Sequence, residues 1–131
     1  MVILSDAMKE LIKKGQCQVA TASQDGWPSI GPKGSVLILD NDTLAFGELV
    51  GGQTYSNLLE NPKVAISAVD HHQRAGYRFV GKAQLETSGT LYDKFASLFE
   101  KMKLPRPVAA VKITIETIYD ISVKNPGEKI C

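Results

Sequence analysis

The residues best suited to chemistry in this chain are neutral polar groups and glycines gathered in one short run. Gly51-Gly52-Gln53-Thr54-Tyr55-Ser56-Asn57 leads from a loop into the start of a helix. A helix start presents unpaired N–H groups and partial positive charge, and Gln53, Thr54, Tyr55 and Ser56 add side-chain donors. The run therefore suits a phosphate monoester. A plainer reading also holds, in which Thr54 or Ser56 caps the helix and the glycines turn the chain. Lys33 sits in an interrupted strand beside Gly31, Pro32 and Gly34, where another molecule could come close. Its ammonium suits a phosphate or an electron-rich ring edge, or else it is an edge lysine that discourages aggregation. Phe46-Gly47-Glu48 follows a strand; Gly47 either lets a flat ring approach the main chain or simply marks the strand end. Arg74-Ala75-Gly76-Tyr77-Arg78 opens a long strand with a ring and two guanidinium groups, suited to anions or to a subunit interface. Trp27 is a candidate for an interface, a pocket wall or the core.

Other chemistries are poorly supplied. Gly31-Pro32-Lys33-Gly34 is no nucleotide loop, because Pro32 lacks an N–H and the segment precedes a strand. There is no G-x-S-x-G elbow. His71 and His72, the only histidines, are adjacent in a polar turn and lack the further ligands a zinc site needs. The acidic residues are scattered, and no acid–base catalyst stands out. Cys17 and Cys131 read as free thiols, as in a reducing compartment. Fifteen basic against fourteen acidic residues give a net charge of +1, without the concentrated positive field of a nucleic-acid binder. No apolar run approaches the roughly 18–20 residues of a membrane span, and no signal peptide is visible. The expectation is a cytoplasmic chain with no nucleic-acid or membrane partner.

The elements that must position these groups follow from periodicity. At 131 residues, 44% hydrophobic and 22% charged, the chain reads as one domain over residues 1–131. A helix runs from the Ser5 cap through Met8, Leu11 and Ile12 and stops at Gly15. The period then becomes two: strand 17–22, the turn Ser23–Gly26, and an interrupted strand 27–39 whose prolines and glycines mark an edge or bulge. Strand 43–46 follows, then a loop and a helix over 53–60 with Leu58 and Leu59 inward. Strands 63–69 and 75–87 flank the polar turn 70–74. A helix over 89–102 carries Leu91, Phe95, Leu98, Phe99 and Met102 on one stripe. Strand 108–123 and a loose polar tail complete the chain. Six strands and three helices in irregular alternation predict a mainly β (α+β), antiparallel six-stranded barrel with peripheral helices.

Four ordered segments resemble the pyridoxamine 5′-phosphate oxidase-like family of FMN-binding split barrels: Trp27–Lys33, Thr43–Glu48, Gln53–Ile66 with its Asn61-Pro62-Lys63-Val64, and Phe79–Ala83. The resemblance implies a homodimeric split β-barrel with FMN at the subunit boundary. It places Lys33, Gly34 and Ser35 against the flavin and its phosphate tail, and Phe46, Gly47 and Glu48 where main chain meets the ring. Gln53 and Thr54 fall where the classical oxidases carry an Arg-Lys pair, which implies weaker FMN retention, and Tyr55 beside them is a further cofactor-binding candidate. Gly76 and Tyr77 match a strand position that approaches the ring from the partner subunit. Residues 108–131 lack the Trp and Arg that grip pyridoxal phosphate, so the implied function is a small FMN-dependent oxidoreductase or electron carrier with a small-molecule donor or acceptor. The alternative is a non-catalytic binder or sensor of flavin, haem or a deazaflavin.

Overall fold

Ser5 opens the first helix as its sequence position indicates: its hydroxyl accepts the Met8 N–H at 3.3 Å. The computed structural model describes residues 2–14 and 16–131, so the expected stop at Gly15 lies outside the described residues. Helix α1 (Asp6–Lys13) buries Met8, Leu11 and Ile12, the three positions that its spacing places on one face. Helix α2 (Gln53–Glu60) and helix α3 (Thr90–Lys101) complete the helical set among the described residues.

The strands are β1 (Cys17–Ala22), β2 (Pro28–Lys33), β3 (Leu37–Asp40), β4 (Thr43–Glu48), β5 (Lys63–Asp70), β6 (Ala75–Glu86), β7 (Ala109–Asp120) and β8 (Glu128–Lys129). They form one antiparallel sheet in the order β2-β1-β5-β6-β7-β4-β3, with β8 paired to β7. Among the described residues the expected count of six is thus corrected to eight. One reason is that the stretch expected as a single strand over 27–39 is broken at Gly34–Val36: its first half pairs with β1 and its second with β4. The other is the tail. It is not loose, because β8 pairs with β7 and the Cys131 carbonyl accepts the Ile118 N–H at 3.0 Å. Since β2 runs directly into β3, the two ends of the sheet are joined by chain and curl toward each other, consistent with a split barrel.

Two apolar clusters hold this arrangement. The main one lies within the curled sheet and under α1, built on Val19, Leu44, Phe46, Ile66, Phe79, Val111, Ile113 and Ile118. The second packs α3 on the outer face through Tyr92, Phe95 and Phe99 against Ala45 and Ala110. The α3 stripe is corrected accordingly: Tyr92 is buried and Met102 is exposed, because Met102 falls after the last helical turn. Leu59 likewise faces solvent, and Asn57 occupies the inward position beside Leu58. Where Val80/Gly81 meets β7 the register shifts, and a Cβ on Gly81 would stand 2.0 Å from the Thr114 carbonyl oxygen. Only glycine permits that approach.

Candidate functional site

The break in the β2–β3 strand creates the local geometry of interest. Pairing of β3 with β4 ends at Leu37/Ala45, so among the described residues the main chain of Phe46, Gly47 and Glu48 has a strand neighbour only on the β7 side. β2 passes this open edge without a ladder to it. Side chains span the gap instead. The Lys33 ammonium nitrogen lies 3.0 Å from Glu48 Oε2 and 5.1 Å from the centre of the Phe46 ring. Phe46 and Glu48 share the inner face of β4, so the ion pair covers the end of the core; Glu48 is only 2% exposed. Gly34 is exposed and Ser35 half-buried at the break itself.

Glu48 continues through Leu49–Gly52 into α2. Gly52 is the N-cap, and among the described residues no side chain bonds the first-turn N–H groups. The capping alternative for Thr54 and Ser56 is therefore not what the structure adopts, and the helix start keeps its donors. Gly51 makes the turn at φ +60, with Val108 and Tyr55 packed beside it. The Gln53 amide donates to Asn57 Oδ1 at 2.7 Å, and Asn57 Nδ2 donates to Thr21 Oγ1 at 3.0 Å. This relay, buried at Asn57 and Thr21 and exposed at Gln53, fixes the first turn of α2 to β1. Sequence reading included Asn57 in the polar run without seeing that it is buried; the i, i+4 spacing of Gln53 and Asn57 was the available signal. The pairing of Lys33 with Glu48 had no signal at all, since it depends on the curl of the sheet.

Not every expected residue joins this group. Gly47 shows its open side to α3, where a Cβ would stand 2.7 Å from Phe99 Cζ. Lys33, Cys17, Ala68 and Tyr77 lie in one row across β2, β1, β5 and β6. Three strand spacings separate Tyr77 from Lys33, roughly 14 Å. Within one chain, Gly76 and Tyr77 are thus remote from the Lys33–Glu48 pair. Gly76 is packed tightly by Val69 and Ile121. Tyr77 borders a cleft with α1.

The histidines sit elsewhere, exposed at the β5–β6 turn, beside an open cavity of about 370 Å³ lined by Lys14, Gln16, Val69, Asp70, His71 and His72. Lys14 bonds Asp70 at 2.9 Å and, with the Gln73 and His72 N–H groups, holds the Asp70 carboxyl below its usual range. Among the described residues no three His, Cys, Asp or Glu side chains converge as for a metal. Both cysteines are free; burial pushes the Cys17 thiol up to about 11. No helix among the described residues is long and apolar enough to cross a membrane.

Comparison with known proteins agrees with this architecture. HupZ of Group A Streptococcus superposes with a TM-score of 0.89 at 32% identity, covering 98% of this chain and 100% of that one. An uncharacterized protein of Methanocaldococcus jannaschii is 30% identical over 125 residues, 92% of this chain and 83% of its own length. An FMN-binding protein of Syntrophomonas wolfei shares the fold, with a TM-score of 0.71 at 16% identity and 88% of each chain covered. Residues 4–122 match the family described as pyridoxamine 5′-phosphate oxidase. By that match and by its near-full-length relatives, the chain belongs to the pyridoxamine 5′-phosphate oxidase family.

Proposed function

We propose that this chain is an FMN-binding flavoprotein: one split-barrel domain over residues 1–131 that pairs with a second copy and holds FMN in the cleft between the two. It would serve in the cytoplasm as a small oxidoreductase or electron carrier, with a small-molecule donor or acceptor and no nucleic-acid partner. The observation that carries the reading is the uncapped start of α2 standing four residues beyond the open β4 edge at Glu48. A flat ring suits the open edge, and an anionic tail suits the free N–H groups. In this reading Gln53, Thr54 and Tyr55 hold the tail, Lys33, Gly34 and Ser35 border the ring and tail, and the main chain of Phe46, Gly47 and Glu48 meets the ring. The remoteness of Gly76 and Tyr77 from Lys33 favours their serving a partner's site. When bound, FMN supplies hydride or electron acceptance, while the protein orients it and excludes water.

Self-association is supported by exposed apolar side chains on and beside β2: Trp27 is 74% exposed and Ile30 70%. The absence of Trp and Arg from residues 108–131 speaks against oxidation of pyridoxamine phosphate. Purified protein titrated with FMN tests the reading. The expected result is a visible flavin absorption band that stays with a particle of twice the chain mass, together with turnover in the presence of NADH or NADPH. A monomer indifferent to excess FMN would sink the proposal.

A further inference from the structure

We infer that Glu48 cancels the charge of Lys33 at the flavin site, so that Lys33 adds little to the hold on the phosphate tail, which rests on the neutral donors at the start of α2. The inference deepens the flavin reading above and rests on it. Lys33 is the cation placed beside the open β4 edge, yet its ammonium is already 3.0 Å from a carboxylate. That carboxylate has nowhere else to turn: the Glu48 side chain is 3% exposed and makes its side-chain hydrogen bond to Lys33. A buried carboxylate released from its partner would be left uncompensated, so the pair persists when a ligand arrives.

Residues 49–62, which lead from the β4 edge through all of α2, contain no Lys or Arg. Arg106, which precedes the Val108 that packs on Gly51, has its guanidinium over the Tyr92 ring on the α3 side. From this chain's own side of the cleft, a phosphate dianion therefore meets neutral donors and a tight ion pair. A tight pair acts on a third charge as a dipole, whose attraction from Lys33 is opposed at similar distance by repulsion from Glu48. Glu48 is thus a positioning residue: it acts on the ligand through Lys33. The phosphate is then favoured only by the neutral donors at the start of α2, and FMN should bind no more than about tenfold tighter than riboflavin.

The test is the ratio of FMN to riboflavin affinity, measured by fluorescence titration at two salt concentrations on protein stripped of bound flavin. In the parent protein the two dissociation constants should lie within about tenfold of each other and depend weakly on salt. Glu48→Gln frees the ammonium and should shift the ratio toward FMN by about tenfold, with a steeper salt dependence. Lys33→Gln leaves the carboxylate alone and should shift it the other way. The Lys33→Gln/Glu48→Gln double variant is neutral again and should return toward the parent ratio. Only variants whose thermal melts show a cooperative folded state are read, so a lost fold is not mistaken for an unchanged ratio. Should Glu48→Gln fail to fold, Lys33→Gln decides. A parent protein that prefers FMN by a hundredfold, or single variants that keep the parent ratio, overturns the inference alone. A parent protein that binds neither flavin removes the flavin reading and this inference with it.

Discussion

Gly47→Ala separates two roles that one glycine can play at the candidate site, leaving room for a ligand ring or leaving room for α3. The structure assigns the second to its open side: the new methyl would stand 2.7 Å from Phe99 Cζ and 3.2 Å from Phe95 Cδ1. Both obstacles are ring atoms of side chains at most 3% exposed, so the rings can yield only by disturbing α3. Overpacking of this kind costs about 1–3 kcal/mol. Replacing a strand glycine by alanine returns roughly 0.5–1 kcal/mol. The net loss expected is about 1–2 kcal/mol, or roughly 3–10 °C in Tm for a domain of this size. Phe99→Leu alone should also destabilise, by about 1 kcal/mol, yet it removes the very atom in the way. The double variant Gly47→Ala/Phe99→Leu should therefore be no less stable than Phe99→Leu, a coupling of at least about 1 kcal/mol in a thermodynamic cycle. Urea unfolding of the four proteins measures it. Additive losses, or a Gly47→Ala protein as stable as its parent, would refute the reasoning.

Other positions yield equally direct outcomes. Gly81→Ala drives a Cβ into the Thr114 backbone, which cannot rotate away, so it should lower Tm more than Gly47→Ala does; Gly34→Ala, which meets nothing within 4 Å, should change Tm by a degree or two in the same melts. Asn57→Leu strands the buried Thr21 hydroxyl and unties Gln53, for an expected loss of about 1–3 kcal/mol in urea unfolding. The Cys17 thiol, raised from an ordinary 9.0 to about 11 by burial, ionises more readily in the unfolded chain. Its contribution is present in full below pH 9 and lost as pH rises toward 11, and native protein should label with a thiol reagent at Cys131 well before Cys17.

Periodicity revealed most of the fold because the elements that carry it are long and one-sided. Met8, Leu11 and Ile12 in α1 and the alternation along β7 face the core as their spacing indicates. Short-range pattern failed where a neighbour distant in sequence decides the outcome. The pairing of residues 28–33 with β1 and of 37–40 with β4 depends on how the sheet curls, which no local window contains. Leu59 and Asn57 exchange their expected places because Thr21, from another strand, offers Asn57 a buried partner. At the candidate site, Lys33, Glu48 and the start of α2 were legible as pieces through their residue types. Their relation was not: the charge on Lys33 reads as available in sequence and is committed in three dimensions.

The prolines of β2 have a consequence for what happens when many copies share one tube. Pro28 and Pro32 lie on the outermost strand and cannot donate a backbone hydrogen bond to another chain. A neighbouring strand could not dock along that border and build a growing ladder, which is the route to cross-β fibres. The apolar surface offered by Trp27 and Ile30 remains open to face-to-face contact. Stickiness is thereby confined to a geometry that can close on itself, so the same few residues that invite a companion also discourage fibril growth.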